Sequence, residues 1–248
     1  MNTTLRQTLA QLIAPALLGL ALWAPDVRAD SVRGSGKAAT DIRNVAEFQA
    51  IGLNGSIDLT VRQGATQSVQ VEADDNLLPL LETVVESGSS GATLQVRWAK
   101  GKSLYTRSKV HVTVVVPKLT ALAAAGSGDM KVESFNTPTL KLAIAGSSDA
   151  RMNNLTAGEL VVSISGSGDV AANGTAGKVV VSIAGSGDVR LGELKADDVS
   201  VTIAGSGDAT VNAGKTLDVR IAGSGDVTYT GNATVKSRVA GSGSVTKR

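Results

Sequence analysis

The chain contains no cysteine, which excludes disulfides, thiolate metal sites and a thiol nucleophile and leaves the redox compartment open. It has one histidine, His111, so no second histidine or cysteine is present to share a metal with it. Aromatic side chains make up 2% of the residues and the formal net charge is +2. Lysines and arginines are scattered, with no basic run interleaved with aromatics, so nothing points to nucleic acid as a partner. After residue 23 no segment is apolar enough to span a bilayer.

At the N-terminus Arg6 precedes an apolar run from Leu9 to Trp23, broken by Gln11 and Pro15. The run is short for a membrane span of roughly 20 residues. Val27 and Ala29 in "PDVRAD" occupy the −3 and −1 positions of a small-residue cleavage site. Residues 1–29 therefore read as a signal peptide cut before Asp30. The mature chain is expected to be soluble, in the periplasm or outside the cell, with no stable membrane insertion after cleavage.

Residues 30–39, "DSVRGSGKAA", read as a flexible leader of small and polar residues. Residues 40–118 read as an N-terminal region of short strands. Asn54-Gly55 between "FQAIGL" and "SIDLTV" predicts a hairpin. Ile57, Leu59 and Val61 alternate with Asp58, Thr60 and Arg62, so one face of that strand is expected to be buried. "DDNLLPLLETVV" predicts one helical turn, with Asp75 as a cap and Pro79 limiting its length. In "KVHVTVVV", Val110, Val112, Val114 and Val116 take one face, and His111 falls on the other, toward solvent.

From about residue 119 to 248 the chain repeats. The tetrad Gly-Ser-Gly-Asp recurs from Gly126, Gly146, Gly166, Gly185, Gly205 and Gly223, with Ser148 replacing the second glycine once, and closes as Gly-Ser-Gly-Ser at Gly241; the steps are 20, 20, 19, 20, 18 and 18 residues. Two residues before each tetrad after the first stand Ile144, Ile164, Ile183, Ile203, Ile221 and Val239, and four before stand Leu122, Leu142, Val162, Val181, Val201 and Val219. Period two means strand with one buried face. Repeats of this length that cannot bury that face alone predict an all-β fold, a parallel β-solenoid whose like residues stack in columns. A narrow interior filled by Val, Ile, Leu and Ala accounts for the shortage of aromatics. At about 4.8 Å per coil, the repeats make a rod roughly 34 Å long.

If the alternation runs through the corner, both tetrad glycines point inward and the serine and aspartate outward. Glycine fits a corner with no room for a side chain, or one needing positive φ. Each aspartate is expected to hold backbone N–H groups of its own turn. The outward set is Ser127, Asp129, Asp149, Ser167, Asp169, Ser186, Asp188, Ser206, Asp208, Ser224 and Asp226. It forms a ladder that is structural, or binds a partner, or holds calcium. Unit charges about 4.8 Å apart repel by about 0.9 kcal/mol in water, which an exposed edge tolerates. The spacing is not that of the calcium-binding nonapeptide solenoid, and no metal or other cofactor is expected.

The segments "FQAIGLNGSIDLTVRQG" and "VEADDNLLPLLETVV", followed by the "AGSGDV" tetrads, resemble the head GIN domain family of putative autotransporter adhesins, over about residues 45–245. The resemblance implies a β-rich, solenoid-like exported protein, called an adhesin by inference, with no catalytic residues to carry over. No translocator barrel of alternating ten-residue strands follows the repeat, so self-export is not expected.

Two functions compete. A non-enzymatic envelope protein, with an envelope or surface polymer or protein as partner, suits a surface that offers the same groups many times. A polysaccharide-cleaving β-helix enzyme would need carboxylates set once in a groove. Asp74-Asp75 and Asp197-Asp198 are paired, but Trp98, Tyr105 and Tyr229 stand far apart in sequence and offer no evident sugar platform. "GSGK" at 34–37 lacks phosphate-loop spacing, and no helix follows "GSGD" to make a nucleophile elbow. The non-enzymatic reading is preferred, with no catalytic residue assigned.

Overall fold

The computed structural model describes residues 30–88 and 91–248. The expected signal peptide lies outside them. The N-terminal strands are β1 (Asp30–Arg33), β2 (Ala38–Arg43), β3 (Ala50–Gly55), β4 (Asp58–Gln63), β5 (Ser68–Asp74), β6 (Leu81–Gly88), β7 (Gly91–Trp98), β8 (Lys102–Tyr105) and β9 (His111–Val116). The repeat supplies β10 (Ala121–Gly126), β11 (Met130–Glu133), β12 (Asn136–Gly146), β13 (Ala150–Gly166), β14 (Val170–Gly185), β15 (Val189–Gly205) and β16 (Ala209–Gly223). The last are β17 (Val227–Thr230), β18 (Thr234–Gly241) and β19 (Val245–Lys247).

The repeat is a parallel β-solenoid, as the period-two pattern requires. Leu142 lies beside Val162, Val162 beside Val181, Val181 beside Val201 and Val201 beside Val219. Ile144, Ile164, Ile183, Ile203 and Ile221 form a second column, each at most 3% exposed. Val239 continues that column but is 43% exposed, since β18 pairs only with β16 among the described residues. Stacking one coil on the next buries faces that no single coil could bury, which is the source of the rod's stability.

Three expectations for the N-terminal region are corrected. Asn54-Gly55 is not a hairpin. β3 pairs in parallel with β10, from Ala50 beside Ala121 to Gly55 beside Gly126, and β4 pairs in parallel with β11. The two strands are consecutive sides of a coil, and Gly55 turns the corner at φ 114°. The glycine signal was real, but the apolar face of "SIDLTV" is satisfied by the coil beside it rather than by "FQAIGL". The solenoid sheet thus runs continuously across residue 118.

Residues 30–39 are not a flexible leader: β1 pairs in parallel with β8, and β2 begins at Ala38 and pairs antiparallel with β5. The small residues there serve close packing. A Cβ on Gly34 would strike the Asp74 carboxylate, and the Gly34 N–H donates to the Tyr105 carbonyl at 2.8 Å. The turn in "NLLPLL" is a short 3-10 helix, Leu78–Leu80, with Pro79 in its first turn. Asp75 does not cap it: its Oδ1 accepts from the Asn76 N–H at 2.7 Å and from the Ser35 hydroxyl at 2.5 Å.

Beyond the first coil, β7 and β9 extend the parallel sheet, and β5, β2 and β6 add antiparallel strands. This cap covers a parallel edge that would otherwise present unpaired backbone groups. Val110, Val112, Val114 and Val116 face the core, and His111 is half-buried on the other face.

Candidate functional site

The tetrads stack at one edge of the solenoid, and their two glycines do different things. The first glycine of every tetrad has positive φ, from 114° at Gly146 to 151° at Gly126. Its missing Cβ would not point inward but along the stack: on Gly185 it would strike the Gly166 carbonyl, and on Gly205 the Gly185 carbonyl. The second glycine, as in Gly187, is buried and lacks positive φ, and a Cβ there too would strike the preceding coil, at the Gly168 carbonyl. Ser148 occupies a second-glycine site, is 1% exposed and lacks positive φ. Positive φ is thus demanded where the sequence never departs from glycine, and the single exception falls at the other site.

The tetrad serines are exposed, while Asp149, Asp169 and Asp188 are half-buried and Asp129, Asp208 and Asp226 exposed. The aspartates do not hold their own turns. From Asp149 on, each reaches to the following coil: Oδ1 of Asp149 accepts the Asp169 N–H at 2.9 Å, Asp169 that of Asp188 at 3.0 Å, Asp188 that of Asp208 at 3.1 Å, and Asp208 that of Asp226 at 2.8 Å. Asp226 closes the series on the Ser244 N–H at 2.7 Å. The carboxylates staple coil to coil because parallel stacking brings the next N–H nearer than any in the same turn.

Arginine offsets part of the ladder's charge. The Arg190 guanidinium spans two rungs, 2.9 Å from Asp169 and 3.0 Å from Asp188. Burial pushes the Asp169 carboxyl up, but the Asp188 N–H and Arg190 outweigh it, and its pKa lies below the ordinary value. Among the described residues no group of three or more acidic or histidine side chains is gathered to hold a metal ion. Asp197 and Asp198 are likewise engaged, with Lys215 at 2.9 Å and the Thr216 hydroxyl at 2.6 Å.

The ladder extends one rung further toward the N-terminus than the repeat suggested. Asp58 Oδ1 accepts the Asp129 N–H at 3.0 Å, and the Ser56 and Ser127 hydroxyls are 2.8 Å apart. Gly55-Ser56-Ile57-Asp58 is a degenerate tetrad, legible in sequence as Gly-Ser-x-Asp once the corner is known. Among the described residues the ladder breaks once, between Asp129 and Asp149, the coil where Ser148 replaces glycine. The Asp129 side chain therefore makes no hydrogen bond or ion pair among the described residues.

Asp129 opens onto a cleft of about 660 Å³ between the first coils and the segment that carries β8. Trp98 and Tyr105 line the same cleft, so aromatics distant in sequence do converge, contrary to the sequence-based expectation. Trp98 packs over the corner glycine Gly55, where a Cβ would sit 3.2 Å from its ring. Tyr105 is 65% exposed. Its segment is anchored from below by Asp74, 1% exposed, which accepts from the Ser108 hydroxyl at 2.6 Å and the Thr106 hydroxyl at 2.7 Å. Those two hydroxyls hold the Asp74 carboxyl below its ordinary pKa. Sequence reading gave Asp58 no role and set Trp98 and Tyr105 aside as too far apart, because their proximity depends on β7 and β8 folding back against the first coil. Tyr229, in β17, is not among the residues that line this cleft.

Similar proteins agree with this architecture. A putative adhesin from Bacteroides fragilis NCTC 9343 is 26% identical, with a TM-score of 0.81 over 88% of this chain and 100% of that one. A putative adhesin from Parabacteroides distasonis ATCC 8503 is 26% identical with a TM-score of 0.70, again over 88% and 100%. A protein of that same strain described as a putative lipid binding protein is 25% identical with a TM-score of 0.71 over the same shares. No curated protein matches the chain. No helix among the described residues is long and apolar enough to cross a membrane. The family model described as "Putative auto-transporter adhesin, head GIN domain" matches residues 47–233, and the chain belongs to that family.

Proposed function

We propose that this is an exported, non-enzymatic protein of the bacterial cell envelope that binds a polymer or protein of a surface through the rigid solenoid. The observation that carries the reading is the tetrad edge. Its aspartates occupy their carboxylates in coil-to-coil hydrogen bonds from Asp149 to Ser244. Groups spent on scaffolding present a fixed, repeated surface, whereas catalysis needs different groups converging once. Exposed serines recur once per coil along that edge, a spacing suited to an extended partner. Membership of the adhesin family supports the same reading.

The test has two parts. N-terminal sequencing of the protein from the envelope fraction should read from Asp30; a retained Met1 with membrane association would instead mean an anchor. The purified protein should bind whole cells or isolated envelope material saturably. Absence of binding, or turnover of a glycan abolished by one carboxylate substitution, would reject the reading.

A further inference from the structure

We infer that the cleft at the head of the ladder is a binding site for a neutral saccharide. The inference rests on the surface-binding reading above and gives it a ligand class. Three features coincide here. Trp98 and Tyr105, two of the six aromatic residues of the chain, line one cleft. Asp129, the ladder aspartate whose carboxylate is unoccupied, lines it too, beside the Ser127 hydroxyl. The space, about 660 Å³, is in the range of small-ligand pockets.

Each feature matches one part of a sugar ring. The carbon-bound hydrogens on one face of a pyranose are apolar and pack on an aromatic ring, and Trp and Tyr present such a face together with a polar edge. The ring's hydroxyls are donors, and a carboxylate with free lone pairs accepts two of them in charge-assisted bonds. Asp129 is available because the ladder breaks above it; Asp58, one coil before, is not, since its Oδ1 holds the Asp129 N–H and its Oδ2 lies 3.6 Å from Lys109 Nζ.

Charge selects among ligands. Two carboxylates, Asp58 and Asp129, and two ammonium groups, Lys102 and Lys109, line the cleft, so the lining carries no formal net charge. Trp98 is fixed against Gly55 and the core. Tyr105 is largely exposed and lines the same cleft.

The experiment uses the full chain carrying Trp23→Phe, which leaves Trp98 as the sole indole. Its fluorescence is titrated with neutral oligosaccharides: N-acetylglucosamine oligomers, cello-, xylo- and malto-oligosaccharides. At least one series should shift the emission saturably. Tyr105→Ala and Asp129→Ala should each weaken that binding tenfold or more, whereas Asp226→Ala, at the far end of the ladder, should leave it unchanged. An unaltered melting temperature in Tyr105→Ala separates lost contact from lost fold. Silence across the series, a response unaffected by Tyr105→Ala and Asp129→Ala, or a response only to charged probes such as phosphocholine would overturn the inference. Whole-cell binding is measured in parallel. If cells are bound but no sugar is, the saccharide site falls and the surface-binding reading stands; if neither is bound, both fall.

Discussion

Asp188 and Asp208 stand on neighbouring coils, and the carboxylate of the first accepts the backbone N–H of the second at 3.1 Å. That bond makes the conspicuous aspartate of "GSGD" a link between coils rather than the lock of its own turn. It also explains why an acidic column is tolerated at about 4.8 Å spacing. The repulsion, about 0.9 kcal/mol per neighbouring pair in water, is opposed at each rung from Asp149 to Asp226 by a hydrogen bond to a charged acceptor, and at Asp169 and Asp188 by Arg190 as well.

Asp188→Asn keeps an acceptor oxygen for the Asp208 N–H and should be nearly neutral in a melting experiment. Asp188→Ala removes it and should cost about 1 kcal/mol. Chelator should not change the melting temperature of the wild type. Equal damage from Asn and Ala, together with sensitivity to chelator, would mean that charge toward a cation is what the ladder supplies.

The first glycine of a tetrad should resist substitution where its exposed neighbour does not. Gly185 has φ 139°, and a Cβ there would strike the Gly166 carbonyl. Gly185→Ala should therefore cost on the order of 1–3 kcal/mol for the conformation alone, and more for the displaced backbone. Ala184→Ser, one residue earlier on the exposed face, should be neutral within about 0.5 kcal/mol. Chemical denaturation of both variants decides; a tolerated Gly185→Ala would mean the corner relaxes freely.

Much of this was legible in the sequence. The period-two columns specify the solenoid because a strand's side-chain direction is fixed by its pleat, and a fixed coil length brings like residues into register. What was not legible arises where contacts are set by the whole fold. The acceptor role of Asp188 reads the same in sequence whether its partner lies in its own turn or in the next coil. Asn54-Gly55 suits a hairpin and a solenoid corner alike, and only the pairing of β3 with β10 distinguishes them. The meeting of Trp98 with Asp129 depends on a fold-back that no local pattern announces. Ser148 was visible as an exception, but the Asp129 carboxylate left open beside it among the described residues could be seen only from the hydrogen bonds of the stacked coils.

The core columns give the simplest check of the alternation. Ile183 is 1% exposed between Ile164 and Ile203. Ile183→Ala should cost on the order of 2–5 kcal/mol, since the stacked neighbours can collapse only partly into the space left. Ser182, next to it and exposed, should tolerate alanine with little loss. Equal losses at the two sites would contradict the inward and outward assignment.

The last prediction concerns acid. Asp74 is buried, and the hydroxyls of Ser108 and Thr106 hold its carboxyl below the ordinary value of 3.8. A carboxyl depressed in the folded state adds stability that is fully present above the unfolded pKa and is lost as pH falls through the folded one. Its contribution should therefore be constant from neutrality to about pH 5, begin to fall near pH 4, and vanish only once the pH is below the depressed folded pKa. Asp74→Asn removes the charge that those hydroxyls solvate and should melt lower than the wild type at pH 7. Asp169 is depressed as well and titrates in both proteins, so the informative quantity is the difference between them. That difference should shrink as the wild-type carboxyl protonates, and a difference that stays constant through the whole acid transition would show that Asp74 acts by shape rather than charge. Because the same bonds anchor the segment that carries Tyr105, the acid transition should also appear as increased hydrogen exchange in residues 102–108 before the solenoid coils lose protection.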